Sequence, residues 1–221
     1  SFTITVTGTN DAPVATFNAQ QDVNEGSGAT NGQLTANDVD NGDSATLEFA
    51  ETTQPSVAGL TIGADGSFSF DADHADYESL AVGDLVTKTV TYSVTDSTGD
   101  SDAGSFDIVI TGTNDAPVAT FTTAQETNED DADLTGTLTA TDEDAGDTLT
   151  FSFDDAIDGL SLNGADWTFN PGDNAYQSLA AGDERVITVE YTVSDDQNAT
   201  SSASFTITVT GTNDAPVATF N

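Results

Sequence analysis

The stretch TGTNDAPVATF at residues 7–17 returns unchanged at 111–121 and 210–220. Its flanks extend the match: SFTITVTGTNDAPVATFN at 1–18 is repeated at 204–221, and 105–122 is a near copy. The copies start 104 residues apart (7 to 111) and then 99 apart (111 to 210). A period of that size signals an array of folded modules rather than a solenoid, since about 100 residues can bury a core of their own. The expected division places the last strand of a preceding module and its linker at 1–12 and a first module at 13–112. A second module follows at 113–212, and 213–221 starts a third. A chain that opens on Ser and contains no Met is expected to be a piece of something longer.

The charge is one-sided. Against 39 acidic residues stand two basic ones, Lys88 and Arg185, for a net charge of −37. A protein without a basic patch cannot neutralise phosphates, which argues against nucleic-acid binding, and anionic membrane surfaces would repel it. So many like charges destabilise a compact state by self-repulsion. Either the carboxylates form a solvated, salt-adapted surface, or some of them bind cations. No cysteine is present, so disulfides and thiolate metal sites are excluded. No apolar run approaches membrane-spanning length, so no direct insertion into a membrane is expected.

Strand signals dominate. FTITV at 2–6 and 205–209 and FDIVI at 106–110 alternate with period two, which places Phe106, Ile108 and Ile110 toward a core. LVTKTVTYSV (85–94) and RVITVEYTV (185–193) read as the same strand in two modules. LTIGADGSFSF (60–70) and the segment from Leu160 to Phe169 each read as a hairpin around a Gly-Ala-Asp turn, with Trp167 and Phe169 inward. HADYESLAVGD and NAYQSLAAGD could each hold one helical turn. About seven short strands per module, separated by Gly, Asn and Asp, make the fold all-β: tandem seven-stranded immunoglobulin-like β-sandwiches.

The carboxylates fall between the strands. The first module carries Glu25, then Asp38, Asp40 and Asp43, then Asp71, Asp73, Asp76 and Glu78, then Asp96, Asp100 and Asp102. The second repeats most of this with Glu129, with Asp142, Asp144 and Asp147, and with Asp195 and Asp196. Asp-x-Asp in a loop sets two carboxylates on one side of the chain, which suits a hard cation that takes six to eight oxygens. With no Cys and a single His, zinc and copper lack their preferred ligands. Calcium fits best.

In this order (Glu loop, Asp-x-Asp loop, Asp-Tyr-Glu loop, strand-end Asp, Asn-Asp-x-Pro) the sequence resembles a cadherin repeat. The GTNDAPV junction resembles the VCBS-type repeats of large bacterial RTX adhesins. The resemblance implies cadherin-like sandwiches that bind Ca2+ at the joints between them. At the central joint it assigns Asn114 and Asp115 from the linker, Glu25, Asp76 and Glu78 from the module before, and Asp142, Asp144 and Asp195 from the module after. At the first joint it assigns Asn10 and Asp11 with Asp38, Asp40 and Asp96. At the last it assigns Asn213 and Asp214 with Glu129, where Ala175 and Gln177 replace two carboxylates and fewer ions are expected. It further implies a monomeric extender whose partners are neighbouring repeats. Such an extender would lie outside the cell on a bacterial surface, exported by a type I system, and would carry a distal adhesive domain for adhesion or biofilm formation.

Two other classes make different demands on these residues. A calcium-dependent carbohydrate- or protein-binding module would want an exposed aromatic, and Trp167 is the only Trp. The alternation around Trp167 places it in a core instead. An enzyme would need a site around paired carboxylates or His74. No pocket-forming insertion is evident, and the His74 loop reads as solvated.

Overall fold

The computed structural model describes residues 1–40 and 42–216. The chain divides into two compact units, Ser1–Thr113 and Asn114–Asn221. Each is built on the same plan.

In the first unit, β1 (Val14–Ala15) pairs antiparallel with β4 (Ala36–Asn37), while β2 (Gln21–Asn24) runs parallel to β9 (Ser101–Thr111). The opening strand therefore changes sheets between Ala15 and Gln21. One sheet has the order β2-β9-β8-β5, with β8 at Leu85–Thr95 and β5 at Glu48–Glu51. The other has β3 (Ala29–Gln33), β7 (Ser67–Asp71) and β6 (Leu60–Ile62) in the order β3-β7-β6. Nine strand segments stand where seven were expected because the first strand and the 29–37 strand are each interrupted.

β-branched and aromatic residues at every second position of β8 and β9 pack the space between the sheets. Val90, Tyr92, Val94, Ile108 and Ile110 are fully buried, each worth about 1.5–3 kcal/mol if apolar. Phe17, from the repeated VATF, meets Phe106 edge-on at 5.2 Å and Phe68 at 5.7 Å. Tyr92 also donates its hydroxyl to the Phe17 carbonyl at 2.9 Å. The recurrent Phe thus pins the start of the module at the point where the chain changes sheets.

The second unit repeats this plan with β10 (Val118–Ala119), β11 (Gln125–Asn128), β12 (Leu134–Thr137), β13 (Ala140–Thr141), β14 (Thr150–Phe153), β15 (Leu160–Asn163), β16 (Asp166–Phe169), β17 (Glu184–Ser194) and β18 (Thr200–Thr210). Its sheets run β11-β18-β17-β14 and β12-β16-β15, with β10 on β13. Phe121 replaces Phe17 and meets Phe205 at 5.0 Å. Trp167 stacks near Phe205 at 5.3 Å and is 1 % exposed, so it is a core residue and cannot serve as the exposed platform of a sugar site.

Two features of the repeated stretch depend on partners distant in the chain. Residues 2–6 form no strand, and Phe2, Ile4 and Val6 are exposed. The identical 205–209 is zipped along β17 over its whole length; residues 2–6 have no ladder partner among the described residues, and apolar alternation without one does not make a strand. The Gly of TGTND owes its place to packing and not to an unusual backbone turn. Neither Gly112 nor Gly211 has positive φ. A Cβ there would lie 2.3 Å from the Ala81 carbonyl oxygen, or 2.4 Å from that of Ala180. Glycine is needed for a close backbone approach.

Candidate metal centres in the inter-strand loops

The loop that follows β4 reads Asp-Val-Asp-Asn-Gly-Asp from Asp38 to Asp43, and the one that follows β13 reads Asp-Glu-Asp-Ala-Gly-Asp from Asp142 to Asp147. The first Asp folds the loop onto itself: the Asp40 N–H donates to Asp38 Oδ1 at 2.8 Å, and the Asp144 N–H to Asp142 Oδ1 at 3.1 Å. Gly42 (φ 102°) and Gly146 (φ 99°) then turn the chain through the left-handed region that glycine tolerates. The turn returns a third carboxylate to the first two. In Asp38–Asp40–Asp43 and in Asp142–Asp144–Asp147, one oxygen per residue lies within 4.8 Å of the others. The family resemblance assigns no role to Asp43 or Asp147, although the spacing D-x-D-x-G-D, present in both modules, marks them.

The linker is tied to these loops. Asn10 Nδ2 donates to Asp96 Oδ2 and to Asp100 Oδ2, both at 2.8 Å, and the Asp11 N–H donates to Asp40 Oδ2 at 2.8 Å. The second unit copies the pattern, with Asn114 Nδ2 to Asp195 Oδ2 at 2.9 Å and the Asp115 N–H to Asp144 Oδ2 at 2.7 Å. Asp96 is held from behind as well: its Oδ1 accepts from the amides of Thr98, Gly99 and Asp100. In the second unit, where Ala199 stands in place of Asp100, Gln197 closes the loop. With its amide nitrogen facing acceptors, Gln197 reaches Asn114 Oδ1 at 3.1 Å and Asp147 Oδ2 at 2.9 Å.

At the opposite end of each module stands a buried glutamate. The Thr113 N–H donates to Glu25 Oε2 at 3.0 Å, and the Thr212 N–H donates to Glu129 Oε1 at 2.7 Å. Glu129 is 0 % exposed, and its Oε2 has no hydrogen-bond partner. Asn213 and Asp214 are exposed, and among the described residues no hydrogen bond ties them to another carboxylate. Asp76 points outward, its carboxylate 3.6 Å from His74 Nδ1. Glu78 is half-buried in the adjoining turn.

The electrostatics are those of crowded anions. Burial, then Asp144, Glu143 and Asp142, raise the Asp115 carboxyl above its ordinary range. Burial and the neighbours Asp142 and Asp195 raise Asp144, and burial with Asp196 and Asp144 raises Asp147. Asp96 moves the other way, to about 2, chiefly through the hydrogen bond from Asn10. Burial would raise Asp195, but bonds from Asn114 and the amides of Ala199, Gln197 and Asn198 hold it down. Buried oxygens of Asp38, Asp142 and Asp144 accept no hydrogen bond. Such oxygens are costly unless something positive meets them, and a hard divalent cation suits an all-oxygen set of this kind.

The comparisons agree with this architecture. Residues 10–112 match the family described as bacterial cadherin-like domain, and residues 114–208 match the one described as bacterial Ig domain. The chain is a tandem of cadherin-like, immunoglobulin-type β-sandwiches. Similar solved structures include Drosophila N-cadherin EC1-4 (TM-score 0.54, 18% identity), of which the match covers 50% against 92% of this chain. The extracellular domain of protocadherin GammaB4 gives a TM-score of 0.54 at 20% identity, covering 33% of that chain and 92% of this one. Mouse cadherin-23 EC22-24 gives 0.51 at 19% identity, with 65% and 90% covered. The cadherin-like tandem thus spans about half or less of the first two of these. No curated protein sequence matches it. Among the described residues, no helix is long and apolar enough to cross a membrane.

Proposed function

We propose that this tandem is a calcium-stiffened spacer of a bacterial surface adhesin. It would lie outside the cell as an array of neighbouring repeats and project a distal adhesive domain for attachment or biofilm growth. Export by a type I system belongs to the same reading, as does a monomeric array that contacts neither nucleic acid nor membrane directly. The observation that supports it best is a duplicated geometry. At Asn10–Asp11 and again at Asn114–Asp115, the linker Asn is bonded to a strand-end Asp and the linker Asp amide to the second carboxylate of a D-x-D-x-G-D loop.

In the proposal, Asn114 and Asp115 hold calcium with Glu25, Asp76 and Glu78 from the module before and Asp142, Asp144 and Asp195 from the module after. Asn10, Asp11, Asp38, Asp40 and Asp96 serve the first joint, and Asn213, Asp214 and Glu129 the last. Asp43 and Asp147 join as ligands of the loops they close. Calcium supplies charge neutralisation and a rigid oxygen-bridged link. The chain's own part is to leave buried oxygens of Asp38, Asp142 and Asp144 open to a cation and to fix the linker backbone through the Thr113 N–H on Glu25 and the Asp115 N–H on Asp144. Sites of the extracellular class bind at about 10⁻⁴–10⁻³ M, and each adds about 2.7 kcal/mol at 100-fold excess.

The test is small-angle scattering of the tandem in millimolar calcium, in EDTA, and in EDTA with sodium chloride at about 0.5 M, where the Debye length is a few ångströms. Calcium is expected to lengthen and narrow the distance distribution in the parent but not in Asp115→Ala. Sodium chloride that matches calcium, or an Asp115→Ala protein as extended as the parent, would refute the reading.

A further inference from the structure

The two basic side chains occupy an unexpected place. The chain offers them 39 carboxylates. Lys88 and Arg185 instead lie over aromatic rings: Lys88 Nζ is 5.7 Å from the Tyr77 ring centre, and Arg185 Cζ is 5.2 Å from that of Tyr176. Tyr77 and Tyr176 are equivalent, each the Tyr of the turn that precedes β8 or β17.

The cations themselves are not equivalent. In the β8–β9 ladder Val86 faces Ile110 and Lys88 faces Ile108; in β17–β18 Arg185 faces Val209 and Ile187 faces Ile207. Arg185 thus stands where Val86 does, and Ile187 stands where Lys88 does. Each module offers two core-side positions at this end of the strand, two residues and about 6.8 Å apart. One position holds an aliphatic residue packed on the core and the other holds the cation, in opposite order. Both solutions deliver a positive charge to the equivalent ring.

The ring under the cation is fixed at its other end. Tyr77 donates its hydroxyl to the Ala58 carbonyl at 2.9 Å, and Tyr176 to that of Asp158 at 2.7 Å. In the second module the path continues to the linker. Arg185 Nη1 donates to the Ala175 carbonyl at 2.9 Å, and Gln177 Nε2 donates to the Glu129 carbonyl at 3.1 Å. The Glu129 carboxylate in turn receives the Thr212 N–H. In the first module the residue at the Gln177 position is Glu78, and the one at the Glu129 position is Glu25.

We infer that Lys88 and Arg185 are positioning residues: each clamps its Tyr turn against the sheet and so sets the Glu25 or Glu129 end of its module for calcium. A cation over a ring is held by the negative charge of the ring's π face, and it occupies no carboxylate of the metal-binding loops. The inference rests on the calcium reading above.

The test uses the whole tandem, with calcium affinity read by calorimetric titration and Tm read in EDTA. Lys88→Ile, which installs the second module's own residue, is expected to weaken calcium binding about tenfold, the low end for groups that orient ligands. Val86→Arg with Lys88→Ile rebuilds the second module's arrangement in the first and is expected to bind within about twofold of the parent. A mere charge effect has the opposite sign, because Lys88→Ile makes the chain more negative and would tighten calcium binding. Unchanged or tighter binding by Lys88→Ile, or failure of the double variant to recover, overturns the clamp and leaves the calcium reading standing. A parent that does not respond to calcium overturns both.

Discussion

Asp144→Asn separates a metal ligand from a structural group by the sign of its effect. In the parent, Asp144 is 5 % exposed and shares its loop with Asp142 and Asp147, one oxygen of each lying within 4.8 Å of the others. Two unit charges at that separation repel by about 0.9 kcal/mol even at the dielectric of water. Removing one charge therefore relieves about 1.7 kcal/mol over the two pairs. Asparagine can still accept from the Asp115 N–H, but the bond is no longer charge-assisted, a loss of about 1 kcal/mol. The balance favours the calcium-free variant by about 0.5–1 kcal/mol, or a rise of several degrees for a domain of this size. With calcium the balance reverses. Loss of an anionic ligand that lowers affinity tenfold costs about 1.4 kcal/mol, which exceeds the variant's net calcium-free gain of about 0.5–1 kcal/mol. Scanning calorimetry of parent and variant, each in EDTA and in 10 mM calcium (about 10–100 times the Kd expected of such sites), reads both signs. If Asp144 were only a structural hydrogen-bond acceptor, Asn would lower Tm under both conditions. If it were only surface charge, Asn would raise both. Either pattern refutes its assignment as a ligand.

The pH dependence without calcium follows from the shifted carboxyls. Asp115, Asp144 and Asp147 have folded-state values above their unfolded ones, so the folded state binds more protons and stability rises as pH falls from neutral toward about 4. Asp96, at about 2, and the lowered Asp195 act oppositely; their contribution is present above the unfolded value of about 3.9 and is lost as pH falls through their own. Tm in EDTA should therefore peak in mildly acidic buffer, whereas saturating calcium should move the optimum toward neutrality; a Tm in EDTA that climbs steadily to pH 7 would contradict the shifts. Gly136→Ala would place a Cβ 2.5 Å from Trp167 Cζ2, and the displaced ring should cost about 1–3 kcal/mol. Because Trp167 is the only Trp, its emission should shift to the red and the second module should melt first; emission and melting like the parent's would show that the ring can yield.

How much of this was legible beforehand depends on the range of each interaction. Period-two alternation lies within a single strand, so FDIVI and the segment around Trp167 declare their inward faces, and the three copies of TGTNDAPVATF declare the tandem. Glu25, Asp38, Asp40, Asp96 and their second-module equivalents stood out because turn loops concentrate carboxylates at fixed spacing. What tertiary structure alone decided were the features that need a partner distant in the chain. FTITV folds as β18 along β17 but not at residues 2–6, since the same letters form a strand only where a ladder exists. Gly112 is required by a carbonyl some thirty residues earlier, not by its own dihedral angles. Asp147 reaches Asp142 and Asp144 only because Gly146 reverses the chain. Lys88 and Arg185 look unrelated in sequence, two positions out of register. They converge on equivalent rings because the pleat repeats every second residue, so a shift of two keeps a side chain on the same side of the sheet.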